Sequence, residues 1–190
     1  MNDFRQRLLD ALEASIEADG YAKTTVADVV RRARTSRRTF YEHFDGKEAC
    51  FIALLSDANA EQVRLISQAV DPSAPWQKQV RQAVEAWISS AEARSALMLS
   101  WIRDVPALGA AARGLQRDAM ANFIDMVGAI AATDEFLAAG IGPVPRRRAI
   151  MLLGGLRELT AITVEEGGRM SDVTDEAVDA SIALLSPHRD

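Results

Sequence analysis

The chain has 190 residues, 48% of them hydrophobic and 26% charged, and a net charge of -5. This is globular material, enough for one domain or a small one joined to a larger one, and it excludes a disordered chain. The net charge also excludes a protein that coats nucleic acid or anionic membrane over its whole surface, so any such contact must be local. With one cysteine, Cys50, no intramolecular disulfide can form. The opening MNDFRQRLLD shows neither the apolar core of a signal peptide nor a glycine for myristoylation. Charges or prolines interrupt every apolar run well before the ~18 residues of a membrane span. A cytoplasmic protein without a membrane partner is expected.

Phe4, Leu8, Leu12 and Ile16, with Leu9 beside them, line one face of a helix over 3–19 that Gly20 closes. Thr25 then precedes the stripe Val26, Val29, Val30 and Ala33, and Asp28 sits where a capping box places its acid. The second helix is short and ends near Ala33. Ser36 caps a third, whose buried side is marked by Phe40 and Phe44. Two short helices joined so tightly read as a helix-turn-helix. A long pattern over 47–70 follows, stopped by the turn DPSAP at 71–75; further helices are expected over 76–93, 95–103, 106–133, 145–166 and 171–186. No alternating run reads as a strand. The predicted fold is all-α, an N-terminal three-helix bundle with a helix-turn-helix followed by a larger C-terminal helical bundle. The division falls at 1–46 and 47–190, with 47–70 as the connecting helix.

Residues 23–47 carry seven basic side chains (Lys23, Arg31, Arg32, Arg34, Arg37, Arg38 and Lys47) against three acidic ones (Asp28, Glu42 and Asp45). An acidic chain has thus gathered positive charge at one place. On a helix starting after Ser36, Phe40 and Phe44 share one side while Arg38, Tyr41 and Glu42 lie on or near the other, with Arg37 and Thr39 flanking. An arginine fork matches guanine O6 and N7, and hydroxyls match phosphate oxygens, so this face suits the major groove of DNA. An ordinary solvated face explains part of the cluster, since Arg38 and Glu42 are spaced as a weak i, i+4 pair.

The stretch TTVADVVRRARTSRRTFYEHFDGKEACFIAL, 24–54, resembles the DNA-binding region of TetR-family transcriptional regulators, through Thr25, Val29, Ala33, Ser36, Thr39, Phe40, Tyr41, His43, Phe44 and Lys47. The resemblance implies a homodimer that holds two such helices against a palindromic double-stranded operator, most simply as a repressor. It also implies a C-terminal domain that binds a small effector. By the same resemblance Thr25, Thr39, Tyr41, His43 and Lys47 anchor phosphates, while Arg37 and Arg38 reach bases. The chain departs from the family pattern at three positions: Arg34 replaces the turn glycine, Val30 an alanine and Cys50 a leucine.

In the larger half, Trp87, Met98, Trp101, Phe123 and Met126 fall on the middle helices and are the candidate lining of an apolar effector pocket. The ligand expected there is apolar or amphipathic. The apolar set Ile150, Leu153, Leu156, Leu159 and Ile162, interrupted by Gly154 and Gly155, leaves room for another helix or for a ligand. The family resemblance assigns the helices 145–166 and 171–186 to the dimer interface. Catalysis lacks a signature: His43 lies in the DNA motif and His188 in the tail, no H-E-x-x-H or E-x-x-H occurs, and neither a metal nor a cofactor is expected. The alternatives are a helical small-molecule-binding protein, or a bundle enzyme, without operator-specific DNA binding.

Overall fold

The computed structural model describes residues 3–187; His188 lies outside the described residues. No strand occurs among the described residues, and the helices are α1 (Asp3–Asp19), α2 (Val26–Arg32), α3 (Arg37–His43), α4 (Lys47–Ala69), α5 (Trp76–Ala93), α6 (Ser95–Arg103), α7 (Ala110–Ile130), α8 (Asp134–Ala138), α9 (Arg146–Glu165) and α10 (Thr174–Leu185). Local chemistry sets most of these ends. Gly20, at φ 79, closes α1 and donates its N–H to the Ile16 carbonyl at 2.8 Å. Pro75 stands at the N-cap of α5 and Pro145 at that of α9.

The pattern read as one helix over 106–133 is divided. Pro106 instead falls early in a 3-10 turn, Val105–Leu108, and Gly109 at φ 62 breaks the helical path before α7 begins. The short helix α8 had no counterpart in the sequence reading. It carries Phe136, fully buried and 5.6 Å from the ring of Trp76. The helix expected over 171–186 opens with a 3-10 turn, Met170–Val173, and becomes α10 at Thr174.

By packing, the chain forms two compact units that are not contiguous in sequence. One runs to Asn59 and takes in Ser95–Gln116; the other is Ala60–Arg94 with Arg117 onward. The packed bodies thus differ from a division at 46/47, since α6 joins the N-terminal helices by packing on α1.

The first unit buries Leu8, Leu12 and Ile16 of α1 with Val29, Phe40, Phe51 and Leu55, and Tyr21 stacks on Phe51 with ring centroids 3.9 Å apart. Phe4, placed on the buried face by its spacing, is instead 44% exposed, with the Arg7 guanidinium 5.1 Å from its ring. Cys50 is fully buried, and burial pushes its thiol up to about 12, so at neutral pH it stays protonated and inert. Iodoacetamide is expected to leave Cys50 unmodified in the native protein and to label it fully in denaturant. Mass spectrometry checks this, and rapid native labelling would contradict the burial.

The second unit packs α5 against α10 and the 3-10 turn before it. Its one fully buried amide, Gln79, is satisfied: its NH2 donates to the carbonyls of Pro72 (3.1 Å) and Ala74 (2.8 Å), and its oxygen accepts from the Thr133 hydroxyl at 3.1 Å. Those bonds tie the turn before α5 to the turn after α7.

Candidate DNA-binding face and apolar recess

The turn between α2 and α3 is set by its backbone. The Thr35 N–H reaches back to the Val30 carbonyl (3.0 Å) and the Arg34 N–H to that of Arg31 (3.2 Å), the paired bonds of a Schellman helix end. This closure needs a left-handed residue after the cap, and Arg34 supplies it at φ 51. A side chain in that region costs about 1–2 kcal/mol, which glycine avoids. The fold braces the turn from α1, where the Arg7 guanidinium donates to the carbonyls of Ala33 and of Arg34, the latter at 3.3 Å. Arg7 was missed in the sequence reading because its acceptors are far along the chain and no local pattern marks it.

Ser36 then caps α3, its hydroxyl accepting from the Thr39 N–H at 3.1 Å. Of the seven residues of α3 only Phe40 is buried, at 0% exposure, and Phe44 follows it into the core at the C-cap. Arg37, Arg38 and Tyr41 are all exposed, Tyr41 at 56%. Arg38 donates to Glu42 at 3.1 Å, but an ion pair this exposed stabilises by only ~0.3 kcal/mol and is readily exchanged for another anion. Arg37 has no acceptor among the described residues. His43 is exposed at the end of the same helix, and Thr39 is half-buried, its hydroxyl 3.0 Å from that of Ser36.

Two of the residues assigned to phosphates also hold the fold. The Thr25 hydroxyl accepts from the Asp28 N–H (3.3 Å) and donates to the Asp28 carboxylate (2.6 Å), which in turn accepts from the Thr25 N–H at 3.1 Å. This completes the capping box of α2. Thr25→Ala is expected to lower stability by ~1 kcal/mol in urea unfolding, and Thr25→Ser to lower it less. The Thr25 bonds hold the Asp28 carboxyl below its ordinary 3.8. The stabilisation is thus fully present above that value and fades as the pH falls through the lower folded-state one.

Lys47, half-buried in the first turn of α4, donates to the carbonyls of Tyr21 and Thr24, both at 2.9 Å, and sits 4.2 Å from the Tyr21 ring centroid. Burial draws its pKa below the usual lysine value. An ammonium has three donors, so one remains for an outside acceptor after the α1–α2 loop is secured.

The second unit contains an apolar recess of about 50 Å³. Ile66 of α4, Trp87 of α5, Met126 of α7, Phe136 of α8, Leu152 of α9 and Leu185 of α10 bring all the main helices of the unit to it. Its polar groups are already engaged: the Ser181 hydroxyl donates to the Ala177 carbonyl (2.6 Å), and the Trp87 ring N–H to the Thr160 hydroxyl (3.4 Å). Of the five residues expected to line a pocket, Trp87 and Met126 do so here. Phe123 lies behind, its ring 5.1 Å from that of Trp87. Met98 and Trp101 are elsewhere, because α6 packs in the first unit and Trp101 lies against that unit's core. No group of three or more His, Cys, Asp or Glu able to hold a metal occurs among the described residues, and no helix there is long and apolar enough to cross a membrane.

Residues 8–54 match the family model described as "Bacterial regulatory proteins, tetR family". No curated protein is significantly similar in sequence to the chain. Among solved structures, the fatty acid degradation regulator FadR of Bacillus halodurans superposes with a TM-score of 0.80 at 15% identity, covering 97% of this chain and 99% of that one. FadR of Bacillus subtilis, solved in complex with stearoyl-CoA, gives 0.79 at 15% identity over the same shares. The reduced form of Escherichia coli NemR gives 0.76 at 13% identity, over 96% of this chain and 97% of that one. A two-helix motif with a basic outer face and a family match over that motif identify residues 8–54 as a helix-turn-helix segment of the tetR type, and the chain as a whole shares the fold of these solved regulators.

Proposed function

We propose that the protein is a ligand-responsive transcriptional repressor that binds a palindromic operator as a homodimer and is released by an apolar or amphipathic effector. The observation that carries this reading is the two-sidedness of α3: Phe40 at 0% exposure on one side, with Arg37, Arg38 and Tyr41 in solvent on the other. Arg37 and Arg38 read base edges, while Thr25, Thr39, Tyr41, His43 and the spare donor of Lys47 hold phosphates. Residues 1–46 are the DNA-binding domain and 47–190 the effector and dimerisation domain. A dimer sets two recognition helices about one DNA turn apart, ~34–36 Å.

The effector site is the recess of the second unit. Its present volume is far below the ~300–1,000 Å³ of small-molecule pockets, so a ligand enters by displacing side chains, for which the unbranched Met126 is suited. The same helix, α4, carries Lys47 in its first turn and Ile66 of the recess in its last. An effector that shifts Ile66 therefore acts on the helix that leads out of the DNA-binding domain. That Bacillus subtilis FadR, a chain of this fold, holds stearoyl-CoA supports the placing of a long apolar ligand.

For the dimer, α9 offers Ile150 (39% exposed), Met151 (59%) and Ile162 (43%). Gly154 and Gly155 would meet nothing within 4 Å if given a Cβ, yet each weakens the helix by ~1 kcal/mol relative to alanine. Close approach of the twofold mate across α9, with α10 alongside, accounts for them. Gly155→Ala is thus expected to leave the folded chain intact and weaken the dimer, seen as a shift of the dissociation midpoint in a sedimentation series; an unchanged midpoint would remove Gly155 from the interface.

The test of the whole reading is footprinting of the purified protein on genomic DNA. Two protected half-sites in inverted repeat are expected, and protection lost when an effector is added. Absence of any protected fragment would refute it.

A further inference from the structure

Resting on that reading of α3, a second feature of the first unit points to an additional DNA contact. The five arginines of 31–38 are not equivalent. Arg31 pairs with Asp28 (2.8 Å), Arg32 donates to the Ser15 hydroxyl (3.2 Å) and Arg38 to Glu42 (3.1 Å), whereas Arg34 and Arg37 have no acceptor among the described residues. Arg37 has its place on the outer face of α3. Arg34 has none among the described residues: its side chain is exposed, and its backbone stands at φ 51, alone in that region among the described non-glycine residues. Glycine would close the turn without the clash of a Cβ.

The strained arginine is nonetheless held firmly, since the Arg7 guanidinium takes the carbonyls on both sides of the 33–34 step. A side chain kept in an unfavourable backbone state, braced by the fold and without an internal partner, has its use outside the molecule. When a helix-turn-helix docks, the second helix enters the groove and the first crosses the sugar–phosphate backbone, so the turn between them passes along the phosphates.

We propose that Arg34 binds a DNA phosphate, making the turn as well as α3 part of the DNA-binding face. Such a contact carries no sequence information and releases a counterion, so it strengthens binding to every duplex and steepens its salt dependence. Arg7 is the positioning residue that aims it.

The test compares Arg34→Gly, Arg34→Asn and Arg34→Lys with the parent, against a duplex selected by the parent from a random-sequence library and an unrelated duplex of equal length. Affinity is measured across a salt series and melting temperature in parallel. Arg34→Gly and Arg34→Asn remove the charge but accept the backbone conformation; both are expected to melt no lower than the parent. Both should bind each duplex about three- to tenfold more weakly at physiological salt, with a log–log salt slope smaller by about 1. Arg34→Lys should keep the parental slope. Parental slopes in the glycine and asparagine variants would overturn the contact while leaving the reading of α3 intact. A loss confined to the selected duplex would overturn the phosphate assignment, and a parent that selects no duplex would remove both the contact and the reading beneath it.

Discussion

Phe40→Ala is expected to destabilise the first unit by about 3–5 kcal/mol, the usual consequence of removing a fully buried phenylalanine, and to abolish DNA binding along with it. The size of the effect follows from how little else holds α3. A seven-residue helix is far too short to persist alone, and Phe40 is its one buried side chain, packed edge-on to Tyr41 (centroids 5.4 Å apart) and 5.7 Å from Phe44. Without that ring the cap at Ser36 and Phe44 at the C-cap remain, but no buried side chain within the helix sets its rotation, and the outward aim of Arg37 and Arg38 is lost. Phe40→Leu, which keeps most of the apolar volume, should retain a folded α3 at a much smaller cost. Urea unfolding followed by circular dichroism, with amide exchange over 36–44, separates the two variants; an alanine variant with the parental midpoint would show that α3 is held by something other than its buried ring.

Arg37→Ala is expected to do the opposite: to leave stability unchanged, because the guanidinium has no partner among the described residues, and to weaken binding to the selected operator by about 1–3 kcal/mol while relaxing its sequence preference. Arg38→Ala should have a similar direction. Its loss is tempered because Arg38 must first leave Glu42, a small penalty for an exposed pair. Tyr41→Phe provides the contrast, weakening selected and unrelated duplexes alike if its hydroxyl meets phosphate. Binding isotherms on a panel of single-base operator variants give the answer. An Arg37→Ala protein that kept both the affinity and the base preference of the parent would show that this face does not read DNA through Arg37.

Much of the fold was legible in the residues because its signals are local. The apolar spacing and Pro75 placed α5 at 76–93, and the Thr25–Asp28 box and Ser36 placed α2 and α3, as found. The misreadings occurred where a local signal had two meanings. Pro106 is as suitable for the first turn of an α-helix as for the 3-10 turn it occupies, and nothing in the sequence announces that Gly109 takes a positive φ. The five-residue α8 is too short to show a period, and it exists because Phe136 finds Trp76.

Among functional residues the same distinction holds. Methionine and tryptophan at helical spacing look alike on α5, α6 and α7, so Met98 and Trp101 read as well as Trp87 and Met126; which core each joins depends on α6 packing with α1. By resemblance Lys47 reads as a phosphate anchor; what the fold shows is two carbonyls that it holds.

Sequence alone determined where the helices up to residue 103 start and stop, which faces are apolar, and that positive charge is gathered at 31–38, since propensity, capping and i, i+4 spacing act between near neighbours. Tertiary structure decided the rest: the partners of Arg7 and Lys47, the recess shared by α4, α5, α7, α8, α9 and α10, and the brace that Arg7 puts on the turn at Arg34. Those features arise between groups distant in the chain, which meet only when whole apolar faces have found each other.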